Sequence, residues 1–253
     1  MKGYDLLVKH IPELNKTAGK YKLAGIGFGV FALTTTYFII TDQIPTWTID
    51  SQIVVMALGF LFVSRMFTQK KAFIEKYKDM AYSYAFGRFA VPGLAIIFAA
   101  IVHIAYMNGP KFTQPTFVMI TTILGWYLLI VGALLWIRSA FTIGLDQLAM
   151  LYVYFPEEGD MKNSNIYGIL RHPVYAGALR VCIGLALLNT GIYALSFAIL
   201  LPLGLTGWIR LVEEKELIER FGGSYLDYRN STPAFWPRVR DAGRFYRFLM
   251  TGN

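Results

Sequence analysis

The chain has 253 residues and a net charge of +8; 55% of its residues are hydrophobic and only 16% charged, against about 25% charged in a typical soluble domain. Apolar content of this order excludes intrinsic disorder, and a single cysteine, Cys182, excludes a disulfide scaffold.

In chain order, residues 1–22 are polar, with Lys2, Lys9, Lys16 and Lys20 interrupting any apolar run, so no cleavable signal peptide is expected. Leu7, Ile11 and Leu14 share one helical face, which suits either an amphipathic helix at the membrane interface or a solvated tail. Residues 23–40 carry no charge. Residues 46–64 are apolar after Asp50 and read as a shorter or tilted span. Residues 89–107 are uncharged apart from His103, taken as neutral, and residues 117–137 are uncharged throughout. Each run is long enough, or nearly so, to cross a hydrocarbon core about 30 Å thick at about 1.5 Å per residue. Residues 139–155 contain Asp146 and either cross the membrane or lie in its interface. Residues 174–189 and 191–209 are two further spans with little between them beyond Asn189-Thr190-Gly191, the spacing of a tight helical hairpin. The expected fold is therefore all-α, a polytopic transmembrane bundle of about six spans.

The basic residues set the orientation. With six spans both termini share a side, and that side then holds 22 of the 24 Lys and Arg residues. Lys111 lies opposite and Arg180 lies inside a span. This positive-inside bias places both termini in the cytoplasm, in a bacterial inner membrane or the endoplasmic reticulum. It also accounts for the basic charge through anionic lipid headgroups rather than nucleic acid. The C-terminus continues the pattern: Arg238, Arg240, Arg244 and Arg247 alternate with Phe245, Tyr246, Phe248 and Leu249, suiting arginine snorkelling and aromatic insertion. The alternative is an unstructured basic tail.

Residues 1–138 form a four-span membrane region with few polar landmarks. Residues 139–253 carry nearly all the polar groups able to do chemistry. Pro173 opens the fifth span, where its missing N–H costs nothing. Arg171 and His172 then stand just before a helix N-terminus, a place that favours an anionic group. Tyr175 and Gly177 follow in the first turn, Gly177 admitting close approach of either a backbone or a ligand. Arg210 ends the sixth span and Glu213-Glu214 follow it, so the hairpin returns these residues to the neighbourhood of Arg171 and His172. Glu213 and Glu214 point about 100° apart, so at most one faces a ligand squarely. Arg180 lies about 10 Å beyond Pro173 along its helix. A charge there faces a polar cavity or partner, or else snorkels. His103 reads as a hydrogen-bonded interior histidine and Cys182 as packing. Metal-ligand spacings, a Walker loop and a dinucleotide fingerprint are absent from the sequence.

Taken in order, these residues resemble the isoprenylcysteine carboxyl methyltransferase and phospholipid methyltransferase superfamily. The resemblance rests on Arg171-His172-Pro173-Val174-Tyr175-Ala176-Gly177, a membrane hairpin, then Glu213-Glu214, Leu217, Phe221-Gly222, Tyr225, Tyr228 and Pro233. It covers about residues 160–237. Before Tyr167 the chain departs from the superfamily's usual Thr-Ser/Thr-Gly and reads Asn163-Ser164-Asn165-Ile166. The resemblance implies an S-adenosylmethionine-dependent methyltransferase whose C-terminal hairpin forms a cofactor pocket at the cytoplasmic side, with a lipophilic acceptor arriving from the bilayer. It implies that Tyr167, Arg171, His172, Pro173, Tyr175, Gly177, Glu213 and Glu214 bind the cofactor. Arg180, Glu214 and Arg210 are the candidate catalytic groups. The acceptor is an isoprenylcysteine carboxylate, a phospholipid amine or a hydrophobic thiol. A nicotinamide-dependent membrane reductase of related architecture and a non-catalytic scaffold are the competing readings; the intact Arg-His-Pro and Glu-Glu pair favours the methyl donor.

The orientation is testable by labelling single cysteines from either side of the membrane, in a background where Cys182 is replaced by serine. Cysteines at Lys71 and Arg244 are expected to react from the same face. Reaction from opposite faces would overturn the six-span arrangement.

Overall fold

The computed structural model describes residues 3–44 and 46–252. Met1, Lys2, Pro45 and Asn253, and with them the outer ends of the two regions assigned above, lie outside the described residues. Among the described residues every element is helical, apart from an isolated antiparallel bridge between Lys111 and Gly191.

The helices are α1 (Tyr4–His10), α2 (Thr17–Thr41), α3 (Thr48–Thr68) and α4 (Lys70–Tyr77). Next, α5 (Ala81–Ala85) runs through a π-helical turn (Phe86–Ala90) into α6 (Val91–Tyr106). The longest is α7 (Pro115–Ile143), followed by the single turns α8 (Leu145–Leu148) and α9 (Leu151–Tyr154). The hairpin is α10 (Pro173–Asn189) and α11 (Ile192–Trp208), and α11 passes through a second π-helical turn (Ile209–Glu213) into α12 (Glu214–Phe221). The chain ends with α13 (Gly223–Ser231) and α14 (Ala242–Thr251).

Among the described residues, five continuous helices are long and apolar enough to cross a membrane: Thr17–Thr41, Thr48–Thr68, Lys70–Tyr106, Pro115–Ile143 and Ile192–Phe221. The sixth apolar helix, α10, has 17 residues, or about 25 Å, at the short end of the spanning range. Residues 139–155 do not form a span. Their first part completes α7, and the rest is two helical turns, with Asp146 buried and accepting a hydrogen bond from the Tyr152 hydroxyl.

The amphipathic face at the N-terminus is covered by protein. Leu7 and Ile11 are buried in a cluster with Tyr82, Ala149 and Leu151. Lys9 and His10 both reach Glu158, at 2.7 and 3.0 Å, and the His10 ring stacks on Phe155. His103 is an interior hydrogen-bonded histidine: Nδ1 lies 2.7 Å from Gln52 Oε1, Nε2 lies 3.1 Å from Asp42 Oδ2, and its ring stacks on Phe38. Gln52 donates its amide N–H to the Ala100 carbonyl, which turns Oε1 toward the imidazole. The hairpin turn is held by Asn189, whose amide donates to the carbonyls of Ile104 and Met107 and whose Oδ1 accepts from Gly191 N.

What positions α10 is a glycine seam against α7. A Cβ on Gly132 would lie 2.9 Å from the Gly177 carbonyl oxygen, and one on Gly125 would lie 3.1 Å from that of Gly184. On each helix the two glycines are seven residues apart, and the pairing order makes the helices antiparallel. With no side chains between them, the two backbones approach directly, as small-residue seams allow in membranes.

A Cβ on Gly177 would come within 2.5 Å of the Trp136 backbone nitrogen, whereas one on Gly204 meets nothing within 4 Å. Gly177→Ala is therefore expected to lower the stability of the detergent-purified protein by about 1–3 kcal/mol through overpacking. Gly204→Ala, in an open helical position, is expected to be neutral or stabilising by up to about 1 kcal/mol. Equal thermal melting of the two variants would contradict the seam.

Candidate functional site

A cavity of about 480 Å³ runs between α3, α6, α7, α10 and α11 and is closed at one end by α12 and α13. That volume suits a small-molecule ligand. On α10 the lining extends from Pro173 to Cys182, about 14 Å along the helix. The polar side chains gather at the Pro173 end, where Gln147, Lys162, Arg171, His172, Glu213 and Glu216 stand among apolar ones such as Leu217 and Phe221. Toward Cys182 they are hydrocarbon: Met56, Phe60, Ile97, Ile101, Leu179 and Leu201. One chamber thus joins a polar end to an apolar arm.

The polar end is organised around Glu214, whose side chain is only 1% exposed. Its Oε1 accepts from Arg171 Nε at 2.8 Å and from His172 Nε2 at 3.0 Å. His172 Nδ1 faces Glu213 Oε1 at 3.5 Å. Arg171 and His172 thus face two carboxylates, of which Glu214 is withdrawn from water and Glu213 is partly exposed. Burial alone would push the His172 pKa down, but Glu213 and Glu214 outweigh it, so the imidazole is raised above its ordinary value. Arg171 also donates to the carbonyls of Thr232 and Arg229. The backbone N–H groups of Arg171 and His172 bond to the carbonyls of Pro233 and Ala234. The segment after α13 is thereby stitched to the start of α10, and Tyr228 adds a hydrogen bond from its hydroxyl to the Tyr167 carbonyl. Between α12 and α13, Gly222 has φ +59°, a conformation suited to glycine.

The two adjacent glutamates diverge as helix geometry requires. Glu214 points into the ion cluster, and Glu213 lines the cavity. Tyr167, Arg171, His172, Pro173 and Tyr175 line it as well. Gly177 does not: it packs against the backbone of Trp136 on α7, so its missing side chain serves helix contact rather than a ligand. Arg180 also differs from expectation. It neither lines the cavity nor pairs with Glu214. It is buried on another face of α10, donating to the carbonyls of Ala176 and Phe235, with its guanidinium 4.2 Å from the Trp236 ring centroid. Tail carbonyls and an aromatic face offset the cost of its charge. Arg210, in the π-helical turn, is exposed and lines no part of the cavity. Of the three candidate catalytic groups, only Glu214 thus belongs to the polar cluster.

Gln147, Lys162 and Glu216 at the polar end, and the whole apolar wall from α3 and α6, are lining residues beyond those expected from the sequence. Four cavity-lining residues carry buried polar atoms with no hydrogen-bond partner among the described residues: Glu213 Oε2, Gln147 Oε1, the Tyr225 hydroxyl and Arg220 Nε, the last lying 3.4 Å from Glu216 Oε1 as an ion pair. Buried polar atoms are ordinarily paired, so these are the open hydrogen-bonding positions of the cavity wall.

Residues 120–224 match the model of the phospholipid methyltransferase family. Over 120 residues the chain is 31% identical to a protein described as methanethiol S-methyltransferase from Pseudomonas deceptionensis; the match covers 46% of this chain and 44% of that protein. The chain thus spans under half the length of that relative. No solved structure matches it.

The raised pKa of His172 has a sign that can be checked. Its contribution to stability is full below the unfolded value of about 6.5 and is lost as pH rises through the higher folded value. The melting temperature of the wild type should therefore fall, relative to that of His172→Gln, as pH is raised from about 6 toward 9. Parallel pH profiles for the two proteins would show that the imidazolium is not held by the glutamates.

Proposed function

From the match of residues 120–224 to the phospholipid methyltransferase family, we propose that this chain is an integral membrane methyltransferase using S-adenosylmethionine and a lipophilic acceptor. The observation that carries the reading is the single chamber in which a polar end with unpartnered acceptor atoms opens into a hydrocarbon arm.

The residues present fit this donor. Its ammonium and ribose hydroxyls are hydrogen-bond donors, and Glu213 Oε2 and Gln147 Oε1 are buried acceptors lacking a donor. Its carboxylate calls for a cation, and Lys162 and Arg171 line the same end. Tyr175 presents a ring 6.1 Å from that of Trp208, an apolar surface for the flat base. When bound, the donor supplies a methyl group on a sulfonium, which passes to a nucleophile by in-line displacement.

The chain's own task is then alignment and exclusion of water, the main demand of such a transfer. Arg171, His172 and Glu214 hold the pocket wall rigid. Glu213 binds with one oxygen and is oriented through the other by His172. The hydrocarbon arm receives the apolar body of the acceptor and presents its reacting atom toward the polar end. Met56, Phe60, Ile97, Ile101, Leu179 and Leu201 bring no charge into the arm, which suits an acceptor that is neutral at rest. Together with the thiol in the relative's name, this favours a hydrophobic thiol over a carboxylate or an ammonium.

S-adenosylhomocysteine at about 100 times its dissociation constant should stabilise the detergent-purified protein by about 2.7 kcal/mol. NADPH should have no effect. Glu213→Ala should weaken binding about 10- to 100-fold, the loss expected for a hydrogen bond to a charged group. Stabilisation by NADPH alone, or unchanged affinity in Glu213→Ala, would refute the reading.

A further inference from the structure

The apolar arm is bounded on one side by two helix faces. On α6, Leu94, Ile97, Phe98 and Ile101 line it, and on α7, Trp136, Ala140 and Ile143 do so. Both sets follow the three-and-four spacing of a single helical face. Both helices lean on α10, and α6 also packs on α2 and α3, but α6 and α7 make no extended contact with each other. The arm occupies the interval between them. Across that interval the rings of Phe98 and Trp136 stack, with centroids 5.4 Å apart and planes 7° from parallel. Trp136 is fixed from behind, where its backbone lies against Gly177. Phe98 is 45% exposed on the apolar exterior and also lines the arm. The pair is a wall one ring thick, with the cavity on one side and the bilayer's position on the other.

We propose that the Phe98–Trp136 stack is a specificity-determining gate, and that the alkyl chain of the acceptor passes between α6 and α7 there and is selected by bulk. The proposal rests on the acceptor reading above. Physically, a single stacked pair is a weak closure, worth a factor of about 2–10 in population, so thermal opening of the Phe98 ring suffices to admit a chain. Ala140, one turn further along α7 from Trp136, leaves the neighbouring part of the wall thin.

The test uses the full chain in phosphatidylethanolamine/phosphatidylglycerol vesicles, as wild type, Phe98→Ala and Ala140→Trp. An alkyl diazirine dissolved in the bilayer is photolysed, and its insertion at Leu179 and Cys182 is read by mass spectrometry. Both side chains are buried and line the cavity, so label reaches them only through the chamber. Exposed Ile120 and Ile123 on α7 report the lipid-facing background. Phe98→Ala should raise cavity labelling about 2- to 10-fold, Ala140→Trp should lower it, and the background should stay constant. In parallel, the ratio of kcat/KM for dodecanethiol to that for ethanethiol should rise in the first variant and fall in the second. Cavity labelling unchanged in both variants overturns the gate. If neither thiol is methylated by the wild type, the thiol reading fails on its own, and the labelling still decides the gate.

Discussion

A carboxylate withdrawn from water must be matched by positive charge and hydrogen bonds, and Glu214 is the place where this chain meets that demand. Its partners, Arg171 and His172, come from the mouth of α10, some 40 residues earlier. Breaking such a buried arrangement by removing one member typically costs about 3–5 kcal/mol, because the remaining charge is left uncompensated. The arrangement therefore fixes the relative position of α10 and α12 more firmly than hydrophobic contact would, since apolar packing has no preferred direction. It also recruits the tail: the carbonyls of Thr232, Pro233 and Ala234 are held by Arg171 and His172. Arg180 continues the same line by holding the carbonyl of Phe235.

The glycine seam does the complementary work on the opposite face of α10. It brings the α7 and α10 backbones together and so leaves α6 and α7 to diverge on the other side. Close packing in one place creates open volume in another. The hydrocarbon arm is that volume, and the ion cluster roofs it. Neither part would make a site alone: the cluster without the arm has no room for an apolar reactant, and the arm without the cluster has no group that recognises a polar one.

Much of this was legible in the sequence. The apolar runs gave the spans, because hydropathy over 17–25 residues leaves few alternatives. The convergence of Arg171, His172, Glu213 and Glu214 followed from a hairpin with a tight turn at Thr190-Gly191. Other features were not legible, for physical reasons. An apolar helix face reads the same whether it meets lipid or lines a cavity, so the contributions of Met56, Phe60 and Phe98 carry no signal. A charge inside a span signals cost but not direction. For Arg180 the partners were Phe235 and Trp236, over 50 positions away and unremarkable in composition. At Gly177 the sequence allowed either a ligand or a backbone to approach, and helix contact with Trp136 took the space.

The π-helical turn at Ile209–Glu213 gives the last long helix a change of phase. A π-turn accommodates one more residue than the α-helical path, so everything beyond it is rotated by about 100° relative to an uninterrupted helix. Upstream of the turn the helix presents Leu201 and Leu205 to the cavity; at its last residue it presents Glu213 to the chamber, and just beyond it Glu214 to Arg171. One helix thus serves two solvents with two phases, hydrocarbon before the turn and a polar pocket after it. The direction in which these side chains face is in that sense set by an angle, and residue identity alone does not specify it: the same glutamates on a regular helix would face elsewhere.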